Sequence, residues 1–300
     1  MALLRTEAEK LSNNTLLAGI IEEIIDREDL FSMLPFQQVD SKALVYTREN
    51  TLSEAEFIDP VTDVVPEGAA TFTEVTSKLR VLIGDVDVDK FLDETMSDTN
   101  AQKATQIAAK AKGLMRKFKR TLVQGNSSVN SKEFDGIKML CDSNMVLTPG
   151  SNASALSLSM LDELLDAVPN GADAIMMRKG TLRAHRALLR ALGGTGPEHV
   201  VQGEYGPILA HNGVPILLND FIPADESYGT SSTTCSIYAI RFNLADGFHG
   251  LYGGPGAGIR MEDIGTVQNK DSTRTRLKWY CGTALKSTKS LARLKGITSI

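Results

Sequence analysis

The sequence predicts an α+β fold. Three observations predict it: an unbroken helical period over residues 99–124, an alternation of strand and helix over roughly 150–256, and long alternating strands on both sides of these segments. The 300 residues suffice for two medium domains or one elaborate one. Hydrophobic residues at 42% and charged residues at 23% are ordinary for a soluble globular chain, so a core of useful size can form. No apolar run approaches the ~18 residues that a membrane helix needs. The N-terminal stretch MALLRTEAEKLSNNT lacks the long apolar run of a secretory signal. A cytoplasmic protein with no membrane partner is expected.

In chain order, residues 15–34 predict a helix. Leu17, Ile20, Ile21, Ile24 and Ile25 share one face, acids line the other, and Pro35 stops it. Segments 43–49 and 71–83 predict strands, the second with Phe72, Val75, Leu79 and Val81 alternating among polar neighbours. The stretch 50–70 between them is too long for a loop inside a compact domain. A two-stranded projection tolerates it, but such a hairpin buries too little to be stable alone. A second copy of the chain could cover it.

Residues 99–124 are the clearest helix, with Ser97 or Asp98 as cap, Gly125 as stop and a length of roughly 40 Å at 1.5 Å per residue. A short strand is expected over 133–141, a helix over 157–168, a buried strand over 172–178 and a helix over 180–194. Two strands flank a His211-Asn212-Gly213 turn, and 235–242 is another apolar strand. Segments 259–268 and 272–285 predict long strands across an Asn269-Lys270-Asp271 turn, and the last segment returns to strand or loop.

The net charge of −5 hides a segregation. Residues 49–98 hold thirteen acids and three bases, 99–124 hold seven bases and no acid, and 270–295 hold eight bases and one acid. Blocks of opposite sign point to surfaces that meet. The overall balance offers no general attraction for nucleic acid beyond weak, non-specific contact.

Catalytic motifs are missing. There is no GxSxG, HExxH or GxxxxGK[ST], and GGPGAG at 253–258 leads into a strand, which suits a hinge better than a phosphate cradle. His185, His199, His211 and His249 show no metal-ligand spacing, so they read as structural or surface groups. Asp85, Asp87 and Asp89 share a strand face and could hold a cation, but lack the glycine and distal glutamate of a calcium loop. Cys141, Cys235 and Cys281 are odd in number and far apart, which predicts reduced thiols without a disulfide or zinc site. No cofactor and no enzymatic activity are expected; an α/β enzyme with its site in 150–256 is the rival that the lack of a convergent polar motif argues against.

The order of parts resembles the major capsid proteins of tailed bacteriophages, which share the Hong-Kong-97-type fold with encapsulin shells. Three pieces carry the resemblance: Phe134-Asp135-Gly136-Ile137 after the long helix, Tyr205-Gly206-Pro207-Ile208 with Gly213-Val214-Pro215-Ile216 and Asn219-Asp220, and Leu277-Lys278-Trp279-Tyr280 with Leu294-Lys295-Gly296-Ile297. The resemblance implies an N-terminal arm at 1–40, an extended hairpin loop at 41–92, a peripheral domain at 93–150 and 257–300 with its spine helix at 99–124, and an α/β axial domain at 151–256. It implies hexamers and pentamers of an icosahedral shell enclosing double-stranded DNA, assembled in the host bacterial cytoplasm and located in the virion. Portal and scaffolding proteins are implied partners, with a decoration protein as a further one. An encapsulin-like compartment is the alternative. The chain reaches its arm helix almost at once, so a separate scaffold and no maturation cleavage are expected. On the charge pattern, Glu54, Glu56, Asp59 and Asp63 of one copy are expected to meet Lys103, Lys110, Lys117 and Arg120 of the next.

Overall fold

The structure is a computed structural model. It describes residues 29–53, 55, 57, 67–95, 102–191, 193, 199–203, 206–256 and 258–300. Of the expected arm helix only its end, α1 (Asp29–Met33), lies among them; Pro35 follows as the stop.

Two sheets share one core. The first is five-stranded, with order β1 (Phe36–Gln38), β12 (Phe248–Tyr252), β14 (Ser272–Leu285) and β13 (Arg260–Thr266), and with β4 (Arg80–Asp89) also on β14. The second has the order β5 (Val146–Leu147), β15 (Leu291–Ile297), β11 (Ser231–Ile240), β6 (Ala174–Met177), β9 (Val214–Leu218), β8 (Gly206–His211) and β7 (His199–Gly203), with β10 (Glu226–Tyr228) also on β11. The remaining strands, β2 (Ala43–Thr51) and β3 (Thr71–Lys78), form a separate antiparallel hairpin.

The helices follow from the sequence period. The long helix is α3 (Gln102–Gln124), preceded by α2 (Lys90–Thr95). Its buried face carries Leu114, Phe118, Leu122 and Val123. Phe118 is fully buried, with ring centroids of Trp279 at 4.4 Å, Phe134 at 5.5 Å and Phe31 at 5.7 Å. On the far side of the second sheet pack α5 (Leu158–Asp166) and α6 (Lys179–Ala191). Strand β6 shows why this layer is stable. Ala174 and Met176 enter the core shared with α3 and β14, while Ile175 and Met177 enter the core under α5 and α6. A strand buried on both faces needs the continuous apolar run found here.

Four expectations change. Segment 133–141 is not a strand: it is a loop followed by the short helix α4 (Ile137–Leu140). The reason is close packing at the end of α3. Gly136 N donates to Gly125 O at 2.9 Å, and a Cβ on Gly136 would lie 2.6 Å from Thr121 O. Segment 71–83 divides at Leu79 into β3 and β4, because β4 leaves the hairpin to pair with β14 along its whole length. The described hairpin pairing therefore covers 43–51 and 71–78 rather than all of 41–92. The C-terminal strand β15 joins the second sheet, and β12, expected in the axial part, joins the first.

Candidate assembly surfaces

The hairpin β2–β3 has one face tied down and one face open. Tyr46 Oη donates to Leu285 O at 2.6 Å, and Arg48 Nε donates to Lys286 O at 2.8 Å. These bonds fix the root of the hairpin to the end of β14. On the opposite face Val45 is 55% exposed and Phe72 64% exposed, flanked by Glu49 and Glu74. Two strands with one face open to water bury little by themselves. Glu54, Glu56, Asp59 and Asp63, expected at the tip, lie outside the described residues.

The basic helix α3 is partly engaged within its own chain. Lys103 Nζ lies 3.5 Å from Asp263 Oδ2, and Lys117 Nζ lies 2.6 Å from Glu133 Oε1. Lys110 is exposed and its chain lies over Gly84, next to Asp85. Lys119 is buried, with its ammonium 5.5 Å from the Phe31 ring centroid. Arg120 is exposed. Thus Lys110 and Arg120 are the members of the expected set that keep a solvent face clear of a described ion pair.

The acidic residues of β4 meet the basic residues of β14 across the sheet. Arg274 forks onto Asp87, Arg276 onto Asp85, and Lys278 Nζ bonds Glu262 Oε2 at 2.6 Å. The Arg276 hydrogen bond holds the Asp85 carboxyl below the usual carboxylate range, and the Arg274 bond does the same for Asp87. The cation site considered for Asp85, Asp87 and Asp89 is replaced by these arginine forks at its first two members. Among the described residues no group of three or more His, Cys, Asp or Glu is placed to hold a metal ion.

A further cluster escaped the sequence. His185 on α6 and His211 at the end of β8 lie 3.3 Å apart between Nε2 and Nδ1, and His211 Nε2 bonds Asp162 Oδ1 of α5 at 2.9 Å. Both rings are buried, and Asn212 Nδ2 also donates to Asp162. The chain of bonds fixes the turn between two helices, a structural use of polar groups. Spacing gave no sign of it, because the partners come from three separate elements. The thiols are free; burial pushes Cys281 up to about 12 and Cys141 to about 11, so neither is a ready nucleophile. Among the described residues no helix is long and apolar enough to cross a membrane.

No family model matches the chain, and no curated protein sequence matches it. Solved structures do. The holo-SrpI encapsulin complex from Synechococcus elongatus PCC 7942 is similar with a TM-score of 0.72 at 18% identity, covering 99% of this chain and 96% of that one. The capsid of the empty GTA particle has a TM-score of 0.72 at 12% identity, covering 96% of each chain. The capsid of Myoviridae Phage XM1 has a TM-score of 0.64 at 11% identity, covering 99% of each chain. At such identities it is the shape that is shared: this chain has the Hong-Kong-97-type fold of phage capsids and encapsulin shells.

Proposed function

We propose that the chain is the major capsid protein of a tailed bacteriophage and self-assembles into hexamers and pentamers of an icosahedral shell that encloses double-stranded DNA. The observation that carries this reading is the likeness to shell subunits over nearly the full length of both chains. Two features of this chain support it. The β2–β3 hairpin leaves Val45 and Phe72 open, as a surface completed by a neighbour would. The Asp85–Arg276, Asp87–Arg274 and His185–His211–Asp162 groups are engaged in bonds that hold elements together, as suits a building block.

In this reading the acidic segment of one copy, with Glu54, Glu56, Asp59 and Asp63, lies over the α3 surface of the next, where Lys103, Lys110, Lys117 and Arg120 lie. Each exposed pair contributes only ~0 to 1 kcal/mol, but repetition over a symmetric shell fixes register. Portal and scaffolding proteins are the further partners, a decoration protein could bind outside, and contact with packaged DNA is weak and non-specific. Assembly takes place in the host cytoplasm, and the product resides in the virion.

The likeness to an encapsulin at 18% identity supports a second reading, a protein nanocompartment without DNA. Electron microscopy of the expressed protein tests both together: closed shells or capsomer-sized rings are expected, and a uniform monomer or dimer overturns both. Nuclease-protected double-stranded DNA in particles from the native host separates them.

A further inference from the structure

A cavity of about 470 Å3 opens beside β10, lined among others by Lys138, Asp225, Glu226, Tyr228, Arg293 and Lys295. At its floor is an enclosed ion pair: the side chains of Glu226 and Arg293 are 8% and 14% exposed. Arg293 Nη2 donates to both Glu226 oxygens at 2.9 Å, and Lys138 Nζ lies 2.8 Å from Oε1. Ser236 Oγ donates to Oε2 and itself accepts from Arg293 Nε at 3.0 Å. Burial raises the Glu226 carboxyl, but the bonds from Lys138 and Ser236 and the Arg293 charge outweigh it and hold it below the usual range. One carboxylate with its acceptor positions filled therefore faces two cations.

The rim adds a third cation. Lys295 Nζ sits 5.1 Å from the Tyr228 ring centroid. Tyr228 is pinned there by its hydroxyl, which donates to Gly150 O. The ring also leans on Gly296, whose φ of +81° and lack of a side chain make the room; a Cβ would lie 2.5 Å from the ring. Asp225, the other carboxylate of the lining, is exposed to water. The sheltered part of the cavity thus carries more positive than negative charge, an arrangement that an anion relieves.

We propose that this cavity is an oxyanion-binding site, in which Lys138, Arg293 and Lys295 hold a carboxylate or phosphate group above the saturated Glu226. The group comes either from free phosphate or from an acidic side chain of a second copy; the second source rests on the shell reading.

Thermal unfolding of the dispersed protein, with inorganic phosphate against chloride at equal ionic strength, tests the site. Phosphate stabilises many proteins by exclusion from their surfaces, so the comparison is between variants. At phosphate ten times its Kd the wild type should gain about 2 °C in Tm more than Lys138→Ala/Lys295→Ala. That variant keeps Arg293 and Glu226 paired one to one, so its fold is retained. Glu226→Gln leaves the cations without a carboxylate; its Tm should be lower in chloride and its phosphate gain larger than that of the wild type. Equal phosphate gains in all three proteins would overturn the proposal. Repeating the measurement on assembled shells separates the sources: a retained gain identifies free oxyanion, and a lost gain identifies a neighbour's carboxylate. The dispersed-protein result stands whether or not shells form, so failure of the site and failure of the shell reading are distinct.

Discussion

Arg274 of β14 grips Asp87 of β4 with both prongs of its guanidinium: Nε donates to Oδ1 at 2.6 Å and Nη2 to Oδ2 at 2.7 Å. The next rung repeats it, with Arg276 on Asp85 at 2.7 and 2.8 Å. Bidentate, charge-assisted bonds are the strong kind, and their planar geometry fixes strand register. Both carboxyls are held below their ordinary values by these arginines.

A carboxylate depressed in the folded state contributes stability above its unfolded pKa and loses it as pH falls through its folded pKa. Asp85→Asn/Asp87→Asn should therefore unfold at a lower temperature than the wild type at pH 7, and the two Tm curves should approach each other as the pH falls below the ordinary carboxylate range. Tm measured from pH 2 to 7 checks this. A difference that stays constant with pH would show that the forks are not its source.

Phe118 stands between Trp279, Phe134 and Phe31 with no exposure. Phe118→Ala removes a large ring from the joint of helix and sheets and should cost about 3–5 kcal/mol. Denaturant unfolding of the dispersed subunit measures it, and a loss under about 1 kcal/mol would mean that the aromatic cluster collapses to fill the space.

The root of the hairpin hangs on Tyr46 and Arg48. Tyr46→Phe/Arg48→Ala should free the projection while leaving the main body folded. Limited proteolysis should then cut within 43–78 several times faster, with little change in Tm; unchanged cleavage would mean that packing of Leu44 and Leu79 holds the root by itself.

The α3 cations are not equivalent. Lys117→Glu breaks the pair with Glu133 and should lower Tm as well as shell yield, whereas Arg120→Glu, on an exposed position, should leave Tm within about 1 °C and reduce shell yield only. The triple reversal at Lys110, Lys117 and Arg120 should abolish assembly of a folded subunit. Normal shells from Arg120→Glu, counted by electron microscopy, would remove this residue from the contact.

Helices α3, α5 and α6, the β8–β9 turn and the β13–β14 pair were legible because each rests on a local signal. Asn212 and Gly213 in the left-handed region do what the His-Asn-Gly sequence suggests, and Asn269 does the same in the other turn. The non-local arrangements were hidden. The acidic and basic blocks of the sequence suggested contact between copies, but Asp85 and Asp87 meet Arg274 and Arg276 within one chain, a register that only the folded sheet reveals. Segment 133–141 reads as a short strand after a polar loop, yet the backbone approach of Gly136 to Gly125 turns it into a loop and a helical turn. The His185–His211–Asp162 chain needs α5, α6 and the turn in place before any of its members has a partner.

The pairing of β4 with β14 joins Arg80 to Cys281 and Asp89 to Ser272. Strand β1 likewise waits for β12, and β11 takes its neighbour β15 from Leu291–Ile297. Each of these pairings joins segments far apart in sequence, so the closure entropy of long loops must be met before either sheet forms, and the fold is one that closes late and slowly.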